Sequence, residues 1–253
     1  MLDRLKSNFT QQLVPDESHQ IESFASAGLR WEQARRIADR TVASSRIPRT
    51  DPSNHYEIFA GISEVCTPTS ILEIGTHRGV FTAFLAALWP AAKIVTYELP
   101  MKKDLSPPLS DVHDISRHYV PHFESDAEYR NAILLEFPNI QLRLQDSSLL
   151  TCSTEKFDVI WVDGDHCYPV VAFDIANSVR LCSPNGWVVV DDIRTRAPKQ
   201  SASQMGSTES YESVRRIAGA GLADLHLVQK RKQSIKSAQE LYGIKQIAIL
   251  RKQ

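Results

Sequence analysis

The sequence predicts an α/β protein with a mostly parallel sheet, and two features indicate this fold class. Short runs of apolar and β-branched residues recur between polar or helical stretches, which is typical of strands covered on both faces and joined by crossover helices. A glycine-containing turn follows the first run and leads into the alanine-rich segment GVFTAFLAALW, as expected where a parallel strand passes into a helix.

Seven runs are predicted as strands. They are SILEI (70–74), KIVTY (93–97), IQLRL (140–144), FDVIWV (157–162), GWVVV (186–190), LHLVQ (225–229) and QIAIL (246–250). The last two have no obvious crossover helix between them, so we expect an antiparallel hairpin at the sheet edge. Their connection, KRKQSIKSAQELYG, is basic; it could be a ligand patch, but we interpret it as a solvated edge loop.

Helices are predicted before the first strand. The segment LRWEQARRIADRTV places apolar residues at three-to-four spacing, which indicates one buried helical face. A second helix is expected to begin at Ser53 or Asn54 and to end at Thr67-Pro68. We therefore divide the chain into a helical extension, residues 1–54, and one sheet domain, residues 55–253.

Composition excludes several classes of protein. The chain has 253 residues and a formal net charge of −1, which argues against a nucleic-acid partner. It contains no apolar run long enough to span a membrane, and its start lacks the apolar stretch of a secretory signal. The four cysteines lack the spacing of a metal site, so we interpret them as reduced packing residues of a cytoplasmic enzyme.

The turn after the first strand predicts a cofactor site. Gly75 and Gly79 are separated by three residues, so the middle glycine of a dinucleotide fingerprint is missing, and a nucleoside without phosphates fits better than NAD. Glu98 closes the second strand, where a carboxylate can accept hydrogen bonds from both ribose hydroxyls. Asp146 and Ser147 follow the third strand, where a polar side chain could meet an adenine amino group.

Carboxylates crowd the ends of the fourth and fifth strands. Asp163, Asp165 and His166 follow one strand, and Asp191 and Asp192 follow the next. Neighbouring strands lie about 4.8 Å apart, so Asp163, Asp191 and Asp192 are expected to converge. Their repulsion needs a compensating charge, which a divalent cation such as Mg²⁺ would supply. Alternatively, Asp165 only caps a helix, and one of Asp191 and Asp192 contacts the cofactor or a backbone amide.

The ordered set ILEIGTHRG, TYELP, LQDSS, VIWVDGDHCY and GWVVVDDI resembles the class I S-adenosylmethionine-dependent methyltransferases, over roughly residues 55 to 250. The resemblance implies a Rossmann-like fold with a seven-stranded sheet of order 3-2-1-4-5-7-6, the seventh strand antiparallel. It implies S-adenosylmethionine as cofactor and S-adenosylhomocysteine as product. The implied cofactor-binding residues are Glu73, Gly75, Thr76, Gly79, Glu98, Asp146, Ser147 and Asp163.

The acid pattern is similar to that of the Mg²⁺-dependent catechol and macrolide-sugar O-methyltransferases, and the DGDHxY string to a bacterial branch of the same class. By this likeness Asp163, Asp191 and Asp192 would hold Mg²⁺. His166 stands where catechol-type members have a lysine base. We therefore predict His166 and Asp163 as catalytic residues, with His166 taking the proton, since the histidine pKa of about 6.5 suits a base near neutrality. A hydrogen bond of His166 within its turn is the alternative.

These features together predict an O-methyltransferase acting on a hydroxyl of a small molecule, such as a sugar or secondary metabolite. The alternatives are a metal-independent N- or O-methyltransferase of the same fold and a non-catalytic cofactor-binding module. The N-terminal helices and the long polar segments 99–119 and 194–211 are expected to form the lid and substrate walls, and the helices could also pair two subunits. Two further candidates are His77 with Arg78 at the cofactor carboxylate, or facing solvent, and a metal site of His113, His118 and His122.

Overall fold

The computed structural model describes residues 17–49, 53–99, 126–195, 208–230 and 245–253. The helices are Glu17–Ser26 (α1), Trp31–Ser45 (α2), His55–Val65 (α3), Val80–Leu88 (α4), Asp126–Leu134 (α5), Val170–Leu181 (α6) and Thr208–Gly219 (α7). The strands are Ser70–Ile74 (β1), Lys93–Glu98 (β2), Ile140–Leu144 (β3), Phe157–Val162 (β4), Cys182–Arg194 (β5), Ala223–Gln229 (β6) and Lys245–Lys252 (β7). A short 3-10 helix, Ser147–Cys152, follows β3.

The strands form one seven-stranded sheet of order β3-β2-β1-β4-β5-β7-β6. Strands β1 to β5 pair in parallel, whereas β7 runs antiparallel to both β5 and β6. This confirms the predicted Rossmann-like methyltransferase fold, including the hairpin of the last two strands. All the parallel strands therefore end at one edge, which we call the carboxyl edge, and the carboxyl edge is where such sheets bind ligands.

Both faces of the sheet are buried, which explains the nearly continuous apolar runs. In β1, Ile71 belongs to the core under helices α2 to α4, and its neighbour Leu72 belongs to the core under α6 and α7. The same alternation places Trp161 of β4 on the first face and Ile160 on the second. The sheet is thus fixed from both sides, and so are the positions of its strand ends.

The strand β5 contains a β-bulge close to the carboxyl edge. Val190 pairs with Ala248 and Ile193 pairs with Gln246, so two residues of β5 face one residue of β7. These two residues are Asp191 and Asp192, and Asp192 has a φ of 51°, in the left-handed region. A bulge re-aims the side chains that it contains. The predicted acid pair therefore lies inside the strand rather than beyond its end.

Helices at the N-terminus pack on the same end of the sheet as the hairpin. Asn54 donates through Nδ2 to the Gln229 carbonyl at 2.8 Å and to Oε1 of Gln20 in α1 at 3.1 Å. This buried contact ties α1 and the start of α3 to the end of β6. The predicted boundary between an extension (1–54) and a domain (55–253) stays a prediction. Residues from both parts pack in one hydrophobic core.

Other predictions have mixed outcomes. No helix in the described ranges is long and apolar enough to cross a membrane. The cysteines are free, but the prediction that all four are packing residues is wrong, because Cys152 and Cys167 are exposed. The three-histidine candidate (His113, His118 and His122) lies outside the described residues, as do residues 100–119 and 196–207 of the two polar segments.

Candidate active site

The turn after β1 is packed directly against the turn after β4. Gly75 has a φ of 95°, and a Cβ atom placed on it would lie 2.2 Å from the Asp163 carbonyl oxygen. The Asp163 amide donates to the Ile74 carbonyl at 2.8 Å, which holds the two turns together. Only glycine combines this backbone conformation with so close an approach. The predicted cofactor turn and the first predicted catalytic loop are therefore adjacent.

The cofactor turn itself is held by hydrogen bonds to β2. The Gly75 amide donates to the Tyr97 carbonyl at 3.0 Å, and the Thr76 hydroxyl lies 2.6 Å from that of Thr96. Glu98, at the end of β2, accepts the His77 amide at 2.6 Å. Its carboxylate therefore reaches back to the turn, and its predicted contact with the ribose of the cofactor stays a prediction.

Gly79 begins the helix α4 with a φ of 72°. A Cβ atom on it would lie 2.9 Å from the side chain of Leu134 in α5. Next to it, Arg78 pairs through Nε with Asp126 of α5 at 2.8 Å. Arg78 thus forms an ion pair within the protein. Its predicted contact with the cofactor carboxylate stays a prediction.

Glu73 lies deeper than its predicted role suggests. The residue is 1% exposed, and Oε2 accepts hydrogen bonds from Thr82 in α4 at 2.5 Å and from Thr96 in β2 at 2.6 Å. Burial raises the pKa of Glu73 to about 7, although the two hydroxyl groups oppose this. Glu73 thus links β1 to α4 and β2 beneath the cofactor turn. Its contact with a cofactor stays a prediction.

Asp146 and Ser147 stand at the exposed end of β3. Asp146 accepts the Ser148 amide at 2.8 Å and so caps the short 3-10 helix. Nearby, Asp174 of α6 is a buried carboxyl whose pKa is raised to about 6, mainly by burial, with the Ser147 hydroxyl opposing the rise. Of the eight predicted cofactor-binding residues, Asp146 is the one whose side chain is exposed.

The second half of the site contains Asp163, Asp191 and Asp192, which we call the acid cluster. Two lysines from the β6–β7 hairpin contact it. Lys230 donates through Nζ to Asp191 Oδ2 at 2.5 Å and to Asp192 Oδ1 at 2.7 Å. Lys245 donates to both oxygens of Asp192, at 3.0 and 3.1 Å. The acid pair in the bulge is therefore neutralised by ammonium groups.

Sequence reasoning missed these two lysines as part of the site. The interpretation of the segment beginning at Lys230 as a solvated edge loop is wrong for Lys230 itself, which is only 6% exposed. Its neighbours 231–244 lie outside the described residues. A signal was available: three converging carboxylates need compensating charge, and the predicted hairpin connection begins with Lys230 and is followed closely by Lys245.

His166 lies between the two acids that flank it. Its Nε2 is 3.8 Å from Asp163 Oδ1 and 3.7 Å from Asp192 Oδ2, and its side chain is 19% exposed. These distances allow electrostatic attraction but exceed hydrogen-bond length.

Asp165 accepts the Cys167 amide at 2.8 Å within the loop. The alternative that Asp165 caps a helix is wrong, because α6 begins at Val170 with Pro169 as its N-cap residue and has no side-chain cap.

The charges of the cluster differ from one acid to the next. Burial disfavours ionisation of Asp192, but Lys230 and Lys245 outweigh it and hold the pKa of that carboxyl below its usual range. Burial also opposes the charge of Lys230, yet Asp191 and Asp192 raise the pKa of its ammonium group. For Asp163, loss of hydration and the neighbouring Asp191 charge raise the pKa well above its ordinary value. Lys230 and Lys245 therefore stabilise the ionised form of Asp192.

In this arrangement the acid cluster does not fit a divalent cation. Lys230 bonds Asp191 Oδ2 and Asp192 Oδ1, and Lys245 bonds both oxygens of Asp192. Among the described residues, Asp191 Oδ1 is the one oxygen of this pair without a hydrogen bond. A cation placed among them would meet two ammonium groups at short range, and like charges repel strongly there. Among the described residues, no group of three His, Cys, Asp or Glu side chains has the arrangement of a metal site.

Comparisons with known proteins agree with this fold. Residues 72–193 match the family model described as a methyltransferase domain. The fold is similar to that of cofactor-bound Rv0187 from MTB, with a TM-score of 0.56 and 17% identity over 86% of this chain and 88% of that one. No curated protein matches the sequence.

Two O-methyltransferases are also similar in fold. One, from Bacillus cereus in complex with SAH, has a TM-score of 0.51 and 18% identity over 87% of this chain and 91% of that one. The other is TomG from Streptomyces achromogenes, which is involved in tomaymycin synthesis and was solved with SAM; it has a TM-score of 0.51 and 17% identity over 96% and 99% of the two chains. Residues 72–193 therefore match a methyltransferase domain, and the chain has the seven-stranded fold of the class I methyltransferases.

Proposed function

We propose that the protein is an S-adenosylmethionine-dependent methyltransferase that methylates a hydroxyl oxygen of a small molecule. One observation carries the proposal: the cofactor turn touches the loop of the predicted base. The Gly75 position approaches the Asp163 carbonyl so closely that no side chain fits between them, and Asp163 lies 3.8 Å from His166. A group bound at the turn and a group held by His166 would be neighbours.

The residues around the turn fit a nucleoside cofactor. Gly75 and Gly79 have positive φ values and pack so closely on Asp163 and Leu134 that the turn stays tight, and the Glu98 carboxylate lies at the end of β2, bonded to the His77 amide. We propose Gly75, Thr76, Gly79 and Asp163 for the methionine end. Glu98 is proposed for the ribose, and Asp146 with Ser147 for the adenine. When bound, S-adenosylmethionine supplies an electrophilic methyl group on sulfur.

His166 is the proposed base. Its imidazole would accept the proton that the acceptor hydroxyl loses as the oxygen gains a methyl group. Asp192, ionised and 3.7 Å from Nε2, would stabilise the imidazolium that results. The protein's own contribution is thus to orient the acceptor hydroxyl and to take its proton on the imidazole of His166.

The predicted Mg²⁺ requirement has less support than its metal-independent alternative. The specific observation that favours the alternative is the pairing of Asp191 and Asp192 with Lys230, which compensates the acid cluster from within the chain. A small-molecule acceptor is supported by the similar fold of TomG, an enzyme of tomaymycin synthesis. The proposed acceptor wall is the N-terminal helices, because Asn54 links α1 to the end of β6 beside Lys230.

Radiolabelled S-adenosylmethionine tests the proposal. We expect label to pass to hydroxylated small molecules, such as sugars and phenols, and not to their deoxy analogues. A matched panel of amines separates O- from N-methylation. Tight binding of S-adenosylhomocysteine in calorimetry, with no transfer to any acceptor, would instead favour a non-catalytic cofactor-binding module.

A further inference from the structure

The ammonium group of Lys230 lies between the two carboxylates of the acid pair, Asp191 and Asp192. Its Nζ bonds both Asp191 and Asp192, at 2.5 and 2.7 Å, and its side chain is 8% exposed. A buried ammonium group is costly unless it is paired. Here the pairing is with two carboxylates at once, which is the geometry of a bridging cation rather than of a surface ion pair.

The backbone around Lys230 is fixed from two sides. Its amide donates to the Lys245 carbonyl at 2.9 Å, and its own carbonyl accepts the Asn54 amide at 2.7 Å. The ammonium group is therefore presented from the end of β6 by hydrogen bonds to β7 and to the residue that precedes α3. Its place in the acid cluster is set by backbone hydrogen bonds of the described residues.

We propose that Lys230 is a tethered cation that takes the place of a divalent metal, and that Lys230, assisted by Lys245, makes the site independent of metal ions. It acts as a positioning residue: it keeps Asp192 fixed and charged against His166. The part of the proposal that concerns catalysis rests on the proposed methyltransferase function. The part that concerns metal binding does not.

Removal of the Lys230 ammonium group leaves Asp191 and Asp192 exposed to each other, with Asp163 beside them. Carboxylate oxygens in such a cluster are the ligands that Mg²⁺ and Mn²⁺ take in proteins. A protein without Lys230 should therefore gain a divalent-cation site that the natural protein lacks.

Binding of Mn²⁺ tests this consequence, measured by the loss of the free-ion signal in electron paramagnetic resonance. We compare the natural protein with Lys230→Ala, Lys230→Arg and Lys252→Ala. Lys252 is the matched control, because it is on the same hairpin but donates to the Cys182 carbonyl at the other end of β7. We expect Lys230→Ala to bind one Mn²⁺ at least about tenfold more tightly than the natural protein. Lys230→Arg and Lys252→Ala should show no gain.

Stability gives a second measurement on the same variants. Lys230→Ala leaves buried carboxylates uncompensated and should lower the melting temperature, and Mn²⁺ should restore it in this variant only. If Lys230→Ala does not fold, Lys245→Ala replaces it, and we expect a smaller gain in Mn²⁺ affinity there. Equal affinity in the natural protein and in the variant that folds would overturn the proposal.

Turnover in the presence of a chelator completes the test. The natural protein should keep its methyl-transfer rate in excess EDTA. A rate that is lost in EDTA and recovered with Mg²⁺ would overturn the proposal, whatever the binding results. If no methyl transfer is found under any condition, the proposed function fails, and the Mn²⁺ comparison alone decides the role of Lys230.

Discussion

The two halves of the carboxyl edge satisfy their carboxylates in opposite ways. In the cofactor half, formed by the turns after β1, β2 and β3, the partners are neutral: hydroxyl groups bond Glu73, and backbone amides bond Glu98 and Asp146. In the acid–lysine half, formed by β4, β5 and the β6–β7 hairpin, the partners are ammonium groups.

The two halves therefore differ in whether a positively charged side chain balances the carboxylates. A carboxylate bonded by an amide retains its negative charge and can accept further hydrogen bonds, which suits Glu98 as a ligand for hydroxyl groups. Asp192 has its charge matched by Lys230 and Lys245. With those charges balanced, the proposed proton acceptor of the site is His166, which lies beside the cluster.

Replacement of His166 gives the largest expected effect and acts on one half alone. We expect His166→Ala to lower kcat by about a hundredfold to ten-thousandfold, or roughly 3–5 kcal/mol in the barrier, because the acceptor proton loses its base. Affinity for S-adenosylhomocysteine, measured by calorimetry, should not change. Cys167→Ser is the matched control, since Cys167 is exposed on the same loop.

A loss of cofactor affinity in His166→Ala as large as the loss of turnover would contradict the separation of the two halves. The two halves would then be one coupled site. A normal kcat in His166→Ala would remove the histidine from the mechanism and leave the alternative of a hydrogen bond within its turn.

Gly75→Ala should damage the cofactor half and, through Asp163, the contact between the halves. The new Cβ atom would lie 2.2 Å from a backbone oxygen at a φ of 95°. We expect a loss of about 4 kcal/mol in the free energy of unfolding, as the sum of overpacking and the cost of a positive φ. Urea denaturation measures it, and S-adenosylhomocysteine affinity should fall in the protein that remains folded.

Gly28→Ala separates the two contributions to that loss. Gly28 also has a positive φ, 73°, but no atom lies within 4 Å of the place where its Cβ would be. We expect a loss of only about 1 kcal/mol there, from backbone conformation alone. Equal losses in the two variants would mean that the close approach to Asp163 contributes nothing.

The same contrast explains what the sequence could predict. Every predicted residue of the cofactor half lies in a contiguous motif at the end of a strand, so local pattern is enough to place Gly75, Glu98 and Asp146 at the carboxyl edge. The lysines of the other half are 38 to 53 residues away from the acids that they contact. Only the pairing of β7 with β5 brings them there, and no local pattern carries that information.

The bulge in β5 was beyond sequence reasoning for a related physical reason. A bulge is a property of two paired strands, and it appears only in the register of β5 against β7. The early part of β5 was missed because CSPNGW contains the Pro-Asn-Gly pattern of a turn. Asn185 does adopt a φ of 60°, yet the strand extends from Cys182 to Arg194.

The pH dependence of stability tests the neutral partners of Glu73 in the cofactor half. Glu73 is buried among neutral donors, and its pKa is about 7 against an ordinary 4.5. Between these two values the folded protein binds more protons than the unfolded chain, so this group's contribution to stability falls as the pH rises from about 4.5 to 7. The difference in pKa corresponds to about 3 kcal/mol.

Glu73→Gln, measured by urea denaturation at several pH values, should lose this decline in stability. Glu136→Gln serves as the control, because Glu136 is an exposed carboxyl. Parallel pH profiles for the natural protein and Glu73→Gln would show that the hydroxyls of Thr82 and Thr96 hold Glu73 charged. The cofactor half would then keep its charge in the core as well as at the edge.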